Sequence, residues 1–169
     1  MRIILEGADL TGKSTLAKEL ANKLDLSYIH VVRKDLHTFS FYIHSMFKED
    51  VVFDRHFIGE MIYPTLFNRK GNLDKDSFKA IYNNAIQLGY KIFICYEDED
   101  ELERRLRLNS NEPEDVKETL FEANRMFKHI AKQYNIQLIK VSDYLDEDKK
   151  DLTKFLNLLY GVGEANAIQ

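Results

Sequence analysis

A glycine-rich run near the start of the chain has the composition and spacing of a phosphate-binding loop. Residues 7–14 read G-A-D-L-T-G-K-S and fit the pattern G-x-x-x-x-G-K-[ST]. Glycine lets the backbone wrap a polyphosphate with its amides, Lys13 can reach the β- and γ-phosphates, and the Ser14 hydroxyl can ligate Mg²⁺. The alternative, a glycine-rich turn with an exposed lysine, is disfavoured because a predicted strand precedes the run and a predicted helix follows it. The nucleotide-binding residues predicted here are Gly7, Ala8, Asp9, Leu10, Thr11, Gly12, Lys13, Ser14 and Thr15.

The alternation of apolar runs with helical periodicity predicts how this loop is positioned. Continuous apolar runs, typical of buried parallel strands, occupy residues 2–6, 27–32, 51–53, 91–96 and 136–141. Apolar residues recur at helical spacing over 13–24, 36–47, 57–67, 74–88, 100–108, 114–134 and 151–160. Asp74 or Asp76 is available to cap the fourth of these helices. We expect an α/β fold of three layers, in which a five-stranded parallel sheet has helices on both faces.

Length and composition favour one soluble domain. The 169 residues include 24 basic and 28 acidic side chains, and the net charge of −4 disfavours a nucleic-acid coat or a polybasic membrane binder. No run approaches the roughly 20 apolar residues that cross a bilayer. Because Cys95 is the single cysteine, no intrachain disulfide can form. We expect a cytoplasmic protein with no membrane partner, a single domain over 1–163 with a short lid near 104–113, and a flexible tail at 164–169.

The loop and a second segment resemble the thymidylate kinase family of P-loop nucleotide kinases. Residues 5–15, L-E-G-A-D-L-T-G-K-S-T, are similar to the family's E-G-x-D-x-x-G-K-[ST]-T, and residues 52–56, V-F-D-R-H, are similar to its D-R-[YFWH]. Tyr63 lies nine residues after Asp54, where the family's A-Y-Q places a tyrosine. The resemblance covers most of the chain. It implies the P-loop kinase fold, ATP as co-substrate and Mg²⁺ as cofactor.

The resemblance also implies roles for individual residues. Asp9 would face the sugar of the acceptor, Asp54 would join Ser14 in organising Mg²⁺, and Arg55 would hold the acceptor phosphate. Arginine suits this last role because its guanidinium matches phosphate oxygens bidentately. The alternative for Asp54 and Arg55 is a surface ion pair at the end of a strand. The implied acceptor-binding residues are Asp9, Arg33, Asp54, Arg55 and Tyr63, of which Arg33 is the weakest match because the family's R-E-P is R-K-D here.

The charged residues 103–107, E-R-R-L-R, resemble the arginine run that enters the family's lid. Lid arginines would stabilise the charge on the transferred phosphoryl group, and the P-loop itself contains no arginine. With two leucines of this helix facing the core, Arg104 and either Arg107 or Arg105 would reach inward, Arg104 being the first choice. The alternative is a solvated helix face whose arginines pair with neighbouring glutamates. The implied catalytic residues are Lys13, Arg55 and Arg104, and Arg104 and Arg107 would also contact ATP.

The activity implied is transfer of the γ-phosphoryl group of ATP to a deoxynucleoside monophosphate, with a thymidylate-like pyrimidine preferred. The base preference is affected by Pro64, which stands where the family has its thymine-reading glutamine. Phe39, Phe41 and Phe67 are candidates to stack on a base, although aromatic residues at such spacing are more often core residues.

Two other functions stay open. A kinase of a deoxynucleoside, or of a modified base in DNA, would use Asp54 or Glu60 to accept a hydroxyl proton. A nucleotide-binding switch would bind ATP without turnover. The resemblance also implies a homodimer, for which residues 57, 58, 61 and 62 offer an apolar surface unless they are buried within one subunit.

Overall fold

Five parallel strands form the centre of the fold in the computed structural model, which describes residues 1–32, 38–109, 113–145 and 151–161. They are β1 (Arg2–Gly7), β2 (Ser27–His30), β3 (Val51–Asp54), β4 (Lys91–Tyr96) and β5 (Gln137–Lys140). Their order across the sheet is β2-β3-β1-β4-β5, with every neighbouring pair parallel. Because this order changes direction beside β1, a crevice for ligands is expected outside the carboxyl end of β1.

Helices connect and cover these strands. In the described part of the chain they are α1 (Lys13–Leu24), α2 (Phe39–Ser45), α3 (Gly59–Leu66), α4 (Lys75–Gln87), α5 (Glu99–Leu108), α6 (Glu114–Tyr134), α7 (Val141–Tyr144) and α8 (Thr153–Tyr160). α4 begins after Asp74, whose carboxylate accepts a hydrogen bond from the Ser77 amide at 2.7 Å. The predicted cap at this position is therefore confirmed. None of the described helices is both long and apolar enough to cross a bilayer.

The sheet buries an apolar layer on each of its faces. On one face, strand residues such as Ile4 and Phe53 pack with the buried sides of α2, α3, α4 and α6. On the other face, strand residues such as Ile3 and Val52 pack with α1, α7 and α8. Consecutive residues of one strand thus pack into opposite layers, as expected for a central strand that is buried on both faces. The predicted three-layer α/β architecture is confirmed.

Some predicted elements differ from those observed at their ends. The helix predicted over 36–47 begins at Phe39, because the Thr38 hydroxyl accepts a hydrogen bond from the Phe41 amide at 3.4 Å and caps the helix. β2 stops at His30, which pairs with Asp54, the last residue of the neighbouring strand β3. After β5 the chain forms the short helix α7 in place of the strand predicted to 141, and four residues are too few for helical periodicity to reveal.

The residues considered for a dimer surface lie inside the fold. Phe57, Ile58 and Ile62 are buried, and Met61 packs against the same core. Burial within one subunit is therefore the correct alternative for the three buried side chains. Three other predictions, for Arg33, for lid residues 110–112 and for the tail 164–169, lie outside the described residues.

Gly7 ends β1 where its backbone faces the carbonyl oxygen of Cys95 on β4. Its φ of +148° is rarely adopted by other residues, and a Cβ would lie 2.3 Å from that oxygen. We expect Gly7→Ala to lower the free energy of unfolding by about 3 kcal/mol or more, because backbone strain and steric overlap add. Urea denaturation followed by circular dichroism measures this loss.

Gly89→Ala is the matched control. Gly89 also has a positive φ, +76°, but a Cβ there meets nothing within 4 Å. It should cost only about 1–2 kcal/mol, the strain of the left-handed conformation alone. Equal losses in the two variants would show that the close approach of Gly7 to Cys95 is unimportant.

Candidate active site at the carboxyl edge of the sheet

The residues between β1 and α1 form a tight loop at the N-terminus of α1. Leu10 and Gly12 have left-handed φ angles of +58° and +83°, and the Thr11 hydroxyl donates to the Ala8 carbonyl at 3.0 Å. The first-turn amides of a helix lack intrahelical partners, and α1 has no acidic side chain in its first turn to occupy them. The loop and this helix end therefore provide a positive concavity suited to a phosphate.

A buried ion pair joins the loop to β3. Lys13 Nζ donates to Asp54 Oδ1 at 2.9 Å, and both side chains are almost fully shielded from solvent. The Tyr28 hydroxyl and His30 Nδ1 each lie 2.8 Å from Asp54 Oδ2. Since a carboxylate only accepts hydrogen bonds, both groups donate to it. Burial by itself raises the pKa of Asp54, but the charge of Lys13 and the hydrogen-bond donors hold that pKa well below its usual range.

Ser14 and Asp54 have the oxygen donors that Mg²⁺ prefers. A hydrogen bond from Ser14 contributes to the low pKa of Asp54, which places the two side chains beside each other. Mg²⁺ in phosphate sites takes only one or two ligands from the protein, and phosphate and water oxygens complete its shell. The pair therefore fits the metal that the sequence predicts.

Sequence reasoning missed Tyr28 and His30. They lie two residues apart on β2 and so share one face of the sheet. The register of β2 on β3 places His30 opposite Asp54. Polar residues at alternate positions of an otherwise apolar strand are a signal that could have found them, but only the register shows which carboxylate they reach.

Asp9 and Arg55 meet beside the loop. Arg55 Nη2 donates to Asp9 Oδ1, and the guanidinium lies 5.8 Å from the centre of the Tyr63 ring on α3. Arg55 has a left-handed φ of +68°, and its amide donates to the Leu5 carbonyl at 2.9 Å, so the chain turns sharply after β3. Three of the predicted acceptor-binding residues are thereby brought together.

Glu6 holds the turn that follows Asp54. Its Oε1 accepts hydrogen bonds from the backbone amides of His56 at 2.9 Å and Ile58 at 2.7 Å. Burial raises the pKa of Glu6 to about 7, although these two amides oppose the rise. The residue is part of the sequence motif, but its contact with a segment 50 residues away is visible only in the folded chain.

Two pockets meet at Asp9. The loop pocket is lined by Ala8, Asp9, Leu10, Thr11, Gly12, Lys13, Ser14, Thr15, Arg104, Arg105, Leu108 and Asn109. The side pocket is lined by Glu6, Asp9, Val31, Val32, Tyr42, Arg55, His56, Gly59, Glu60, Tyr63, Phe67, Arg69, Asp115 and Val116. Because Asp9 lines both, a molecule in one pocket would be adjacent to a molecule in the other. Of the three phenylalanines considered for stacking, Phe67 lines the side pocket.

The arginines of α5 differ in how they approach the loop. Arg105 Nη1 donates to the Leu10 carbonyl at 3.1 Å, and its side chain is only 13% exposed. Arg105 follows the buried Leu102 by three residues, so the two lie on the same side of the helix. The structure therefore brings Arg105 to the loop, whereas the sequence favours Arg104 as the first choice and offers Arg105 only as an alternative to Arg107.

Arg104 and Arg107 are more exposed. Arg104 lines the loop pocket and pairs with Glu101 at 2.7 Å, while 59% of its side chain is exposed. Arg107 pairs with Glu103 at 2.5 Å and lies outside the lining of both pockets. Both arginines thus pair with glutamates of α5, as predicted by the alternative of a solvated helix face. Either arginine would have to leave its glutamate to reach a nucleotide in the loop pocket.

No family model and no curated protein matches the chain. Among solved structures, the YorR protein from Bacillus subtilis, in complex with phosphorylated GDP, superposes with a TM-score of 0.78 at 18% identity, over 95% of this chain and 96% of that chain. Deoxyadenosine kinase from M. mycoides with bound dATP gives a TM-score of 0.56 at 18% identity, over 95% and 99% of the two chains. With dCMP and dCDP bound, that enzyme gives 0.56 at 20% identity, over 96% and 100%. These likenesses confirm the predicted P-loop kinase fold.

The raised pKa of Glu6 makes stability depend on pH. Its pKa is about 7 in the folded chain and near 4.5 when exposed, so between these values the folded state keeps a proton that the unfolded state has lost. The contribution of Glu6 to stability therefore falls as pH rises. Glu6→Gln is neutral at every pH, and we expect it to gain about 3 kcal/mol relative to wild type between about pH 4 and pH 8.

Urea denaturation of wild type and variant at several pH values measures this difference. Glu122→Gln, on the exposed side of α6, is the control and should follow wild type at each pH. A stability difference between Glu6→Gln and wild type that stays constant with pH would contradict the expectation.

Proposed function

We propose that this chain is an ATP- and Mg²⁺-dependent kinase that transfers the γ-phosphoryl group to a deoxynucleoside monophosphate. The observation that carries the proposal is the meeting of the loop pocket and the side pocket at Asp9. Group transfer needs donor and acceptor held side by side, and effective concentration supplies much of the rate. The ligands named for the structural neighbours, phosphorylated GDP, dATP and dCMP, support nucleotides as the occupants.

The side pocket favours a monophosphate over a nucleoside as the acceptor. Arg55 Nε is buried and has no hydrogen-bond partner among the described residues, and a phosphate would supply one. A nucleoside would instead need a carboxylate that can take the hydroxyl proton. Asp54, one of the two carboxylates considered for that task, is unsuited to it because both of its oxygens already accept hydrogen bonds and its pKa is low. Glu60 lines the side pocket and is the carboxylate that a nucleoside acceptor would have to use.

Each charged group has a separate task in the proposed reaction. When ATP binds, Lys13 leaves Asp54 and donates to the β- and γ-phosphates. Arg55 holds the phosphate of the acceptor. Arg104 approaches from α5 to balance the charge on the transferred group. When bound, Mg²⁺ supplies further charge neutralisation between the phosphates, and Ser14 and Asp54 would hold it. Positioning and electrostatics provide most of the catalysis in phosphoryl transfer, so no covalent intermediate is required.

The resemblance to thymidylate kinases adds a pyrimidine as the preferred class of base. Val31, Val32 and Phe67 line the side pocket and provide apolar surface for a flat ring. Pro64, which replaces the thymine-reading glutamine, does not line this pocket. The groups that contact the edge of the base must therefore come from other residues.

The proposal is tested by ADP release from Mg·ATP with a panel of acceptors. The panel contains the deoxynucleoside monophosphates, the matching deoxynucleosides and single-stranded DNA. We expect turnover on at least one monophosphate, and a loss of about a hundredfold or more in Lys13→Ala, because the buried cation is removed from the phosphates. Lys23→Ala, exposed in the last turn of the same helix, is the matched control and should keep wild-type turnover.

The other outcomes identify the alternatives. Turnover confined to nucleosides or to DNA would replace the monophosphate proposal with one of those acceptors. Tight ATP binding without turnover on the whole panel would favour the nucleotide-binding switch.

Arg104 and Arg105 should affect different kinetic constants. Arg105 binds the loop through the Leu10 carbonyl before any ligand enters, so Arg105→Ala should raise the KM for ATP with a smaller effect on kcat. Arg104→Ala should lower kcat about tenfold or more, since this arginine would act on the transition-state charge. Arg125→Ala, exposed on α6, is the control. A rise in KM without loss of kcat in Arg104→Ala would remove Arg104 from the catalytic set.

A further inference from the structure

Buried polar atoms without a hydrogen-bond partner concentrate in the side pocket. Within the described ranges, Arg55 Nε, Glu60 Oε2, Tyr63 Oη and Arg69 Nε are such atoms, and all four residues line this pocket. About nine in ten buried polar groups in folded proteins have a partner. Four in one pocket therefore indicate a polar ligand whose groups complement them.

Glu60 and Arg69 lie at the end of the side pocket away from the loop. Asp9 joins the side pocket to the loop pocket, whereas Glu60 and Arg69 also line a third depression beside Pro64 and Leu73. An acceptor whose phosphate binds Arg55, near Asp9, would extend its base toward this far end. The side chains there are the ones that can contact the base edge.

Glu60 differs from two other carboxylates that line the pocket. Glu6 accepts two backbone amides, and Asp9 accepts the Arg55 guanidinium. Glu60 has a hydrogen bond with Tyr42, but its Oε2 atom is buried and has no hydrogen bond to the described residues. An ionised carboxylate can only accept, so the ligand group that completes Glu60 must be an N–H or O–H donor.

The edges of the bases differ in this respect. Cytosine presents an exocyclic amino group at position 4, a donor, beside the acceptors N3 and O2, while thymine and uracil present a carbonyl oxygen at position 4 and an N3–H donor beside it. Glu60 can accept from the amino group and Arg69 can donate to the neighbouring acceptors. Thymine placed in the same way would set its position-4 carbonyl against Glu60 and its N3–H against the Arg69 donor, which leaves the carboxylate oxygen and the guanidinium both unpaired, and this is costly.

We infer that Glu60 selects an acceptor whose base carries an exocyclic amino group, with cytosine preferred over thymine and uracil. The inference rests on the proposed function in that it places the acceptor nucleotide in the side pocket. It keeps the pyrimidine of that proposal, specifies cytosine in place of the thymine that the sequence motifs imply, and so deepens the proposed function. Arg69 is the donor that completes the recognition.

The test compares dCMP with dUMP, which have the same sugar and phosphate and differ in the amino or carbonyl group at position 4 and in the hydrogen that uracil carries on N3. Calorimetric titration of the full chain, without ATP, measures both dissociation constants, and the deoxynucleosides are titrated in parallel. We expect wild type to bind the amino member about tenfold or more tightly. In Glu60→Gln the amide can donate as well as accept, so the ratio should fall below about threefold. Glu60→Ala should also lose the preference.

Glu122→Gln, exposed on α6, is the matched control and should keep the wild-type ratio. Equal binding of dCMP and dUMP by wild type, or a ratio that Glu60→Gln and Glu60→Ala leave unchanged, would overturn the inference, as would no binding of either pair. Because binding is measured without turnover, the two proposals fail separately. A Glu60-dependent ratio without kinase activity would refute the proposed function alone, and kinase activity with a Glu60-independent ratio would refute the inference alone.

Discussion

The buried pair of Lys13 and Asp54 is the interaction on which the rest of the site depends. A charge removed from water is tolerated only when it is paired, and loss of one partner of such a pair costs about 3–5 kcal/mol. Here Lys13 begins α1, after the loop that follows β1, and Asp54 ends the neighbouring strand β3. Both side chains are almost fully shielded from solvent. The pair thereby fixes the loop between β1 and α1 against β3, and the low pKa of Asp54 keeps an anion beside Lys13 and Ser14.

The arrangement of strands at this edge of the sheet explains why the loop pocket and the side pocket are adjacent. Strands β1 and β3 end side by side, so the loop after β1 and the turn after β3 face each other. Glu6 accepts two amides of that turn, and Arg55, within it, reaches Asp9 in the loop. The loop pocket is therefore lined by Lys13 and the side pocket by Arg55, and the two pockets share Asp9. Phosphoryl transfer needs little more of a protein than this placement of charge.

The far end of the side pocket is where this chain departs from the family that its motifs resemble. Pro64 takes the place of a base-reading amide, and it does not line the pocket. Glu60, one helical turn earlier on α3, lines the pocket instead, together with Arg69. With proline at position 64 of α3, the polar side chains that line the far end of the side pocket are Glu60 and Arg69. The consequence is a pocket whose unpaired atoms include an acceptor that thymine would leave unsatisfied.

The sequence by itself determined the loop, the strand order along the chain and the two faces of the sheet. These depend on short-range rules, namely glycine at constrained positions, uninterrupted apolar runs and helical periodicity. Tertiary structure decided which side chains meet. Tyr28 and His30 reach Asp54 only through strand register, and Arg105 reaches Leu10 across 95 residues. Such contacts depend on strand register and on how elements that are distant in sequence pack together, and local spacing encodes neither.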